Sequence, residues 1–149
     1  KAALDRAEET KMHATAIQLH TGEVISGKTT SLPGASAAVL LNSLKHLAGI
    51  AHEIPLISPI IIEPIQTLKT KHLGNNNPRL HTDEILIALS ICAATNPMAE
   101  LALQQLPKLS GCEAHSSVIL SQVDSSVFRK LGVNLTCEPR YQTKKLYHK

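Results

Sequence analysis

Apolar residues change period several times along this chain, from two to 3.6 and back, and few architectures can bury such a pattern. In ATAIQLH, residues 14–20, Ile17 and Leu19 share one face with Thr15 while Gln18 and His20 share the other, which is the period of a strand. Thr21-Gly22 supplies a turn, glycine accepting the positive φ that short hairpin loops need, and EVISGK continues as a second strand. Over residues 35–48, Ala37, Leu40, Leu41, Leu44 and Leu47 or Ala48 recur on one face of an amphipathic helix, and Gly49 is a natural stop. IPLIS, residues 54–58, is short and apolar between polar neighbours, as a buried strand would be. Ser58-Pro59 then reads as N-cap and first residue of a helix reaching about Leu73, which Pro64 must kink or interrupt.

GNNNPR is a loop, after which Thr82 is expected to cap a helix carrying Asp83 and Glu84 in its first turn, where the helix dipole favours carboxylates. ILIALSICAA follows, apolar nearly all round, so this helix should be central. Asn96-Pro97 restarts a helix through about Leu106, SSVIL reads as a strand, residues 124–131 as a short helix capped by Asp124 and stopped by Gly132, and VNLTC as the last strand. Strands separated by helices require crossovers. The expected fold is therefore α/β, a three-layer α/β/α arrangement with a mostly parallel sheet and an N-terminal antiparallel hairpin.

At 149 residues the chain is expected to be a single domain, residues 1–13 forming a leading helical or linker segment. That length buries roughly 70% of the surface of the unfolded chain, so no staples are required. No apolar run approaches the roughly 20 residues of a membrane helix. Cys92, Cys112 and Cys137 are an odd, widely spaced set without a C-x-x-C pair, which fits a reducing compartment, and the cytoplasm is the expected location. A formal net charge of +3 with only 2% aromatic residues gives little basis for binding nucleic acid. The late basic cluster of Arg140, Lys144, Lys145 and Lys149 reads as a solvated tail or as a clamp on an acidic ligand or neighbouring chain.

Three stretches bear on chemistry. Gly22 to Thr29 fits the phosphate-loop pattern G-x-x-x-x-G-K-[ST], yet such a loop must end at the first turn of a helix. Here the intervening residues include β-branched side chains and Glu23, and Pro33-Gly34 stands before helical periodicity begins, so a hairpin strand is the better reading and nucleotide binding the third choice. GCEAHS gathers Cys112, Glu113 and His115, with Cys137 and Glu138 later, but the H-x-E and P-C-x-x-C pattern of zinc deaminases is absent and no metal or cofactor is assigned. Glu113 and His115 are instead candidates for acid-base work at a strand mouth. In RLHTDE, His81, Asp83 and Glu84 at a helix start are catalytic candidates, with Arg79 and the distant Arg140 as anion holders. The bland alternative is that these carboxylates only serve the helix dipole.

The stretches ISPIIIEPIQTLKTKHLG, NPRLHTDEILIALSICAATNP, LPKLSGCEAHSSVIL and FRKLGVNLTCEPRYQTKKLYHK together resemble the C-terminal portion of the bacterial family called domain of unknown function 1846. The resemblance runs from about Ala14 to the chain end. It implies a parent protein several times longer and a layering similar to deaminase-like α/β/α domains, and it transfers no catalytic residue. Two functions are thus expected to compete: one wall of a small-molecule or anionic-ligand site, or a structural module that docks on the rest of its parent or forms a homo-oligomer.

Overall fold

The computed structural model describes residues 2–3, 13–30 and 33–139. Strands β1 (Ala14–Gln18) and β2 (Val24–Lys28) form the expected hairpin, with Ile17 opposite Ile25, and Gly22 takes φ 90° in the turn. Helix α1 (Ala35–Ala48) ends at Gly49, whose φ of 72° lets its N–H reach back to the carbonyls of His46 and Lys45. Helix α2 (Pro59–Thr67) opens as expected, Ser58 Oγ accepting the N–H of Ile60. It passes through Pro64 and widens into a π-helical turn, Leu68–His72. Helices α3 (Thr82–Ala93) and α4 (Pro97–Leu103) follow, then a 3-10 turn, β3 (Glu113–Ser116), α5 (Gln122–Lys130) and β4 (Asn134–Cys137).

The fold is mixed α/β with a four-stranded sheet in the order β2-β1-β3-β4. The expectation of a mostly parallel sheet is corrected: β1 is antiparallel to both β2 and β3, and only β3 and β4 run parallel. The reason is the fate of IPLIS. Lys45, itself buried, donates its ammonium to the carbonyls of His52 and Ile54, so this segment meets its hydrogen-bonding demand as a loop, while Leu56 and Ile57 still bury. No strand forms there to supply a parallel neighbour for β1. SSVIL is corrected as well: pairing begins three residues earlier, at Glu113, because the Ser117 N–H closes on the Ala14 carbonyl and its hydroxyl accepts the Ala14 N–H at 3.0 Å, ending the ladder.

Strand register sorts the side chains. Thr15, Ile17, Ile25, Gly27, Ala114, Ser116 and Leu135 share one face, and Ala14, Ala16, Ser26, Glu113, His115, Asn134 and Thr136 the other. Ile17 and Ala114 join Leu40, Leu44, Ile85, Leu89 and Phe128 in the hydrophobic core, which therefore lies on the first face. No helix of the described residues is long and apolar enough to cross a membrane.

Gly22 and Thr29 do not enclose a phosphate cradle. Residues 24–28 are extended in β2, Gly27 packs against the α1 backbone, and Lys28 ends the strand. The amides a phosphate would need are aligned along a hairpin instead of converging on one point.

Helix α4 tests the capping chemistry read from Asn96-Pro97. Asn96 Oδ1 accepts the Met98 N–H at 3.0 Å, so Asn96→Ala is expected to lower stability by about 1 kcal/mol in urea unfolding, and an unchanged midpoint would refute the cap.

Candidate functional site

The register brings four chain positions to one end of the sheet: Ala14 at the start of β1, Lys28 at the end of β2, Ser116 at the end of β3 and Cys137 at the end of β4. Three helix N-termini are tied together there. The entry to α1 is held by the Gly34 N–H, which donates to the Leu80 carbonyl at 3.1 Å, and by Arg79 Nε, which donates to the Thr30 carbonyl at 2.6 Å. Leu80 leads directly into α3. The α3 start is joined to α5 by Asp124, whose Oδ1 accepts both the N–H and the hydroxyl of Thr82, at 2.9 and 2.7 Å. Open α/β sheets bind ligands outside the carboxyl ends of their parallel strands, and here those ends belong to β3 and β4.

These contacts correct two capping assignments. The N-cap of α3 is His81, not Thr82, and Glu84 Oε1 accepts its backbone N–H at 2.8 Å. The N-cap of α5 is Ser121, whose hydroxyl accepts the Asp124 N–H at 3.2 Å. The Asp124 carboxylate is thereby free to serve a different helix. Both follow from tertiary packing, because Thr82 is fully buried and finds its acceptor 42 residues away.

Around His81 the charges interlock. Its Nδ1 lies 3.6 Å from Asp124 Oδ2, an ion-pair distance longer than a good hydrogen bond. Contact with that carboxylate raises the His81 pKa above the ordinary histidine value, against the opposing effect of burial. Burial alone would raise Asp124, but contact with His81 and the two hydrogen bonds from Thr82 outweigh it and hold the carboxyl below its usual range. Glu84 Oε1 also accepts from Lys69 Nζ at 2.7 Å, and the same ammonium donates to the Arg79 carbonyl at 2.6 Å. The π-helical turn carries Lys69 and buries it while its neighbours Leu68 and Lys71 stay exposed. Asp83 accepts the Glu84 N–H at 2.8 Å and borders a surface groove of about 590 Å³ whose other wall is α5, including Gln122, Ser126 and Arg129.

Arg79, His81, Asp83 and Glu84 therefore gather at one place with Lys69, Thr82 and Asp124. Glu113 and His115 do not join them: they project from the sheet face opposite the core. His115 Nδ1 lies 2.6 Å from Thr136 Oγ1 and its Nε2 3.2 Å from Glu138 Oε1, while Glu113 accepts from Asn134 Nδ2 at 3.3 Å. Cys112 is buried, with its thiol pushed up by desolvation. Among the described residues no group of three His, Cys, Asp or Glu side chains could hold a metal ion. Arg140 lies outside the described residues.

Sequence reasoning missed Asp124 as a partner of His81, and Lys69 altogether. With Nδ1 turned toward a buried carboxylate, an imidazole at the head of a helix exchanges protons through Nε2, which is the arrangement of an oriented general acid or base.

The family model described as "Domain of unknown function DUF1846, C-terminal" matches residues 1–147. The chain belongs to this family. A UPF0371 protein of Corynebacterium efficiens is 57% identical over 147 residues, covering 99% of this chain and 30% of the relative. A UPF0371 protein of Corynebacterium diphtheriae is 56% identical over 142 residues, 95% of this chain and 29% of the relative. One of Streptococcus pyogenes serotype M5 is 52% identical over 148 residues, again 99% and 30%. The DUF1846 C-terminal domain described here thus spans about 30% of the length of the curated relatives it matches, and it is one part of a larger bacterial polypeptide.

Proposed function

We propose that this DUF1846 C-terminal domain supplies one wall of a site for an anionic small molecule in its longer, cytoplasmic parent. His81 exchanges a proton with the ligand, and Arg79, joined by Arg140, balances its negative charge. The observation that carries this reading is the His81–Asp124 pair at the carboxyl end of β3 and β4, because a buried carboxylate 3.6 Å from an imidazole orients it and favours its protonated form. Asp83 and Glu84 hold the helix start that presents the imidazole. Glu113 and His115 belong to a second surface, which the other helical layer of a three-layer arrangement would cover.

The test is a histidine titration followed by NMR in the full-length parent. The His81 resonance is expected to titrate above the ordinary histidine value and to fall toward it in Asp124→Asn. Inorganic phosphate, and separately succinate, should move the resonance saturably, and His81→Ala should abolish the heat of binding in calorimetry. If neither anion moves the His81 resonance at millimolar concentration, the anionic-ligand reading fails.

A further inference from the structure

Helix α2 carries an apolar stripe on its outer side. Ile60, Pro64 and Leu68 follow one another at four-residue steps, one face of a helix, and all three are exposed, Ile60 at 79% and Leu68 at 49%. Ile62 is the only residue of α2 that is buried. The stripe borders a groove of about 580 Å³, completed by Glu63, Thr67 and His72. Leu73, 64% exposed, follows directly after the π-helical turn. Isolated exposed leucines need no explanation, but a run of apolar side chains along one helix, rimmed by a carboxylate and an imidazole, has the composition of an interface: apolar centre, polar rim.

The segment is also held in place. Ser58 caps α2 at its start, and at its other end buried Lys69 is fixed by Glu84 Oε1 and the Arg79 carbonyl. Anchoring at both ends presents the stripe in one orientation, so a partner need not order it on binding.

We propose that the occupant of this stripe is the part of the parent polypeptide that lies outside this domain. The match covers about 30% of the relatives' length, and the family model is the C-terminal one, so a body larger than this domain precedes it on the same chain. Covalent linkage holds that body at an effective concentration of the order of millimolar, whereas a second copy of the protein has to associate at its free concentration. An interdomain contact of modest area suffices under those conditions.

The test uses the full-length parent with Ile60→Cys or Leu68→Cys, each conservative at an exposed position, and Asn76→Cys in the exposed 74–78 loop as reference. Maleimide labelling is followed by mass spectrometry across a dilution series, with light scattering reporting the mass at each step. The expected result is labelling at 60 and 68 roughly tenfold or more slower than at 76, unchanged down to the monomer, as for a site that reacts only on local opening. Protection that disappears as the mass falls to that of a monomer would assign the stripe to a second copy and overturn the proposal. Labelling at 60 and 68 as fast as at 76 in every sample would overturn it too, showing the stripe uncovered.

Discussion

Gly27→Ala is expected to destabilise the domain by about 2–3 kcal/mol, seen as a lower urea midpoint with an unchanged slope. A Cβ built on Gly27 would lie 2.3 Å from the Val39 backbone nitrogen and 2.8 Å from the Ala38 carbonyl carbon. Those atoms are backbone in the second turn of α1, and no side chain can swing aside to make room. The helix must retreat from β2, and it carries Val39, Leu40 and Leu44, all fully buried, away from the sheet with it. Lys28→Ala, at the half-buried end of the strand, should change stability by no more than about 0.5 kcal/mol. This ordering separates the two meanings of the Gly22–Thr29 pattern. In a phosphate loop the glycine admits a ligand and the lysine grips it, so both substitutions would act on nucleotide binding. In a hairpin strand the glycine admits a helix and the lysine does little. A Gly27→Ala variant as stable as the wild type would mean that α1 does not press on β2 as described.

What could be read from residues and what could not divides by the range of the interaction. The hairpin was legible because period two and a turn glycine lie within fifteen residues of each other. Gly49, Ser58-Pro59 and Asn96-Pro97 were legible because capping is chemistry between neighbours, and each takes the expected geometry. IPLIS was misread because a short apolar run buries equally well as a strand or as a pinned loop, and the pin, Lys45, belongs to another element. The sheet's direction was misread for the same reason: whether β1 meets a parallel or an antiparallel neighbour depends on β3, almost a hundred residues away. ILIALSICAA, apolar nearly all round, is expected to be central, but α3 buries Ile85, Leu89 and Cys92 and leaves Ile87 and Ile91 on its outer side. An apolar residue constrains what can cover it and does not say whether the cover lies in the same domain.

Asp124 shows the same limit at the candidate site, and its removal is the second large effect expected. Asp124→Ala should cost about 3–4 kcal/mol, because it strips the buried Thr82 N–H and hydroxyl of their acceptor and His81 of its counter-charge at once. Asp124→Asn keeps an oxygen for Thr82 and removes only the charge, so it should cost less and change the pH dependence instead. The direction follows from the two shifted groups. Asp124 has a folded pKa below its unfolded one, so its contribution is complete above the unfolded value, about 3.9, and is lost as pH falls through the folded value. His81 has a folded pKa above its unfolded one, so its contribution is complete below about 6.5 and is lost as pH rises through the folded value. The stability difference between wild type and Asp124→Asn should therefore be greatest between about pH 4 and 6.5 and shrink on both sides. Equal pH profiles for the two proteins would mean that the carboxylate acts on Thr82 alone, as a helix cap, and that His81 is not electrostatically bound to it. A difference confined to that window would show that one buried charge both joins α5 to α3 and sets the protonation of the imidazole at the sheet's end.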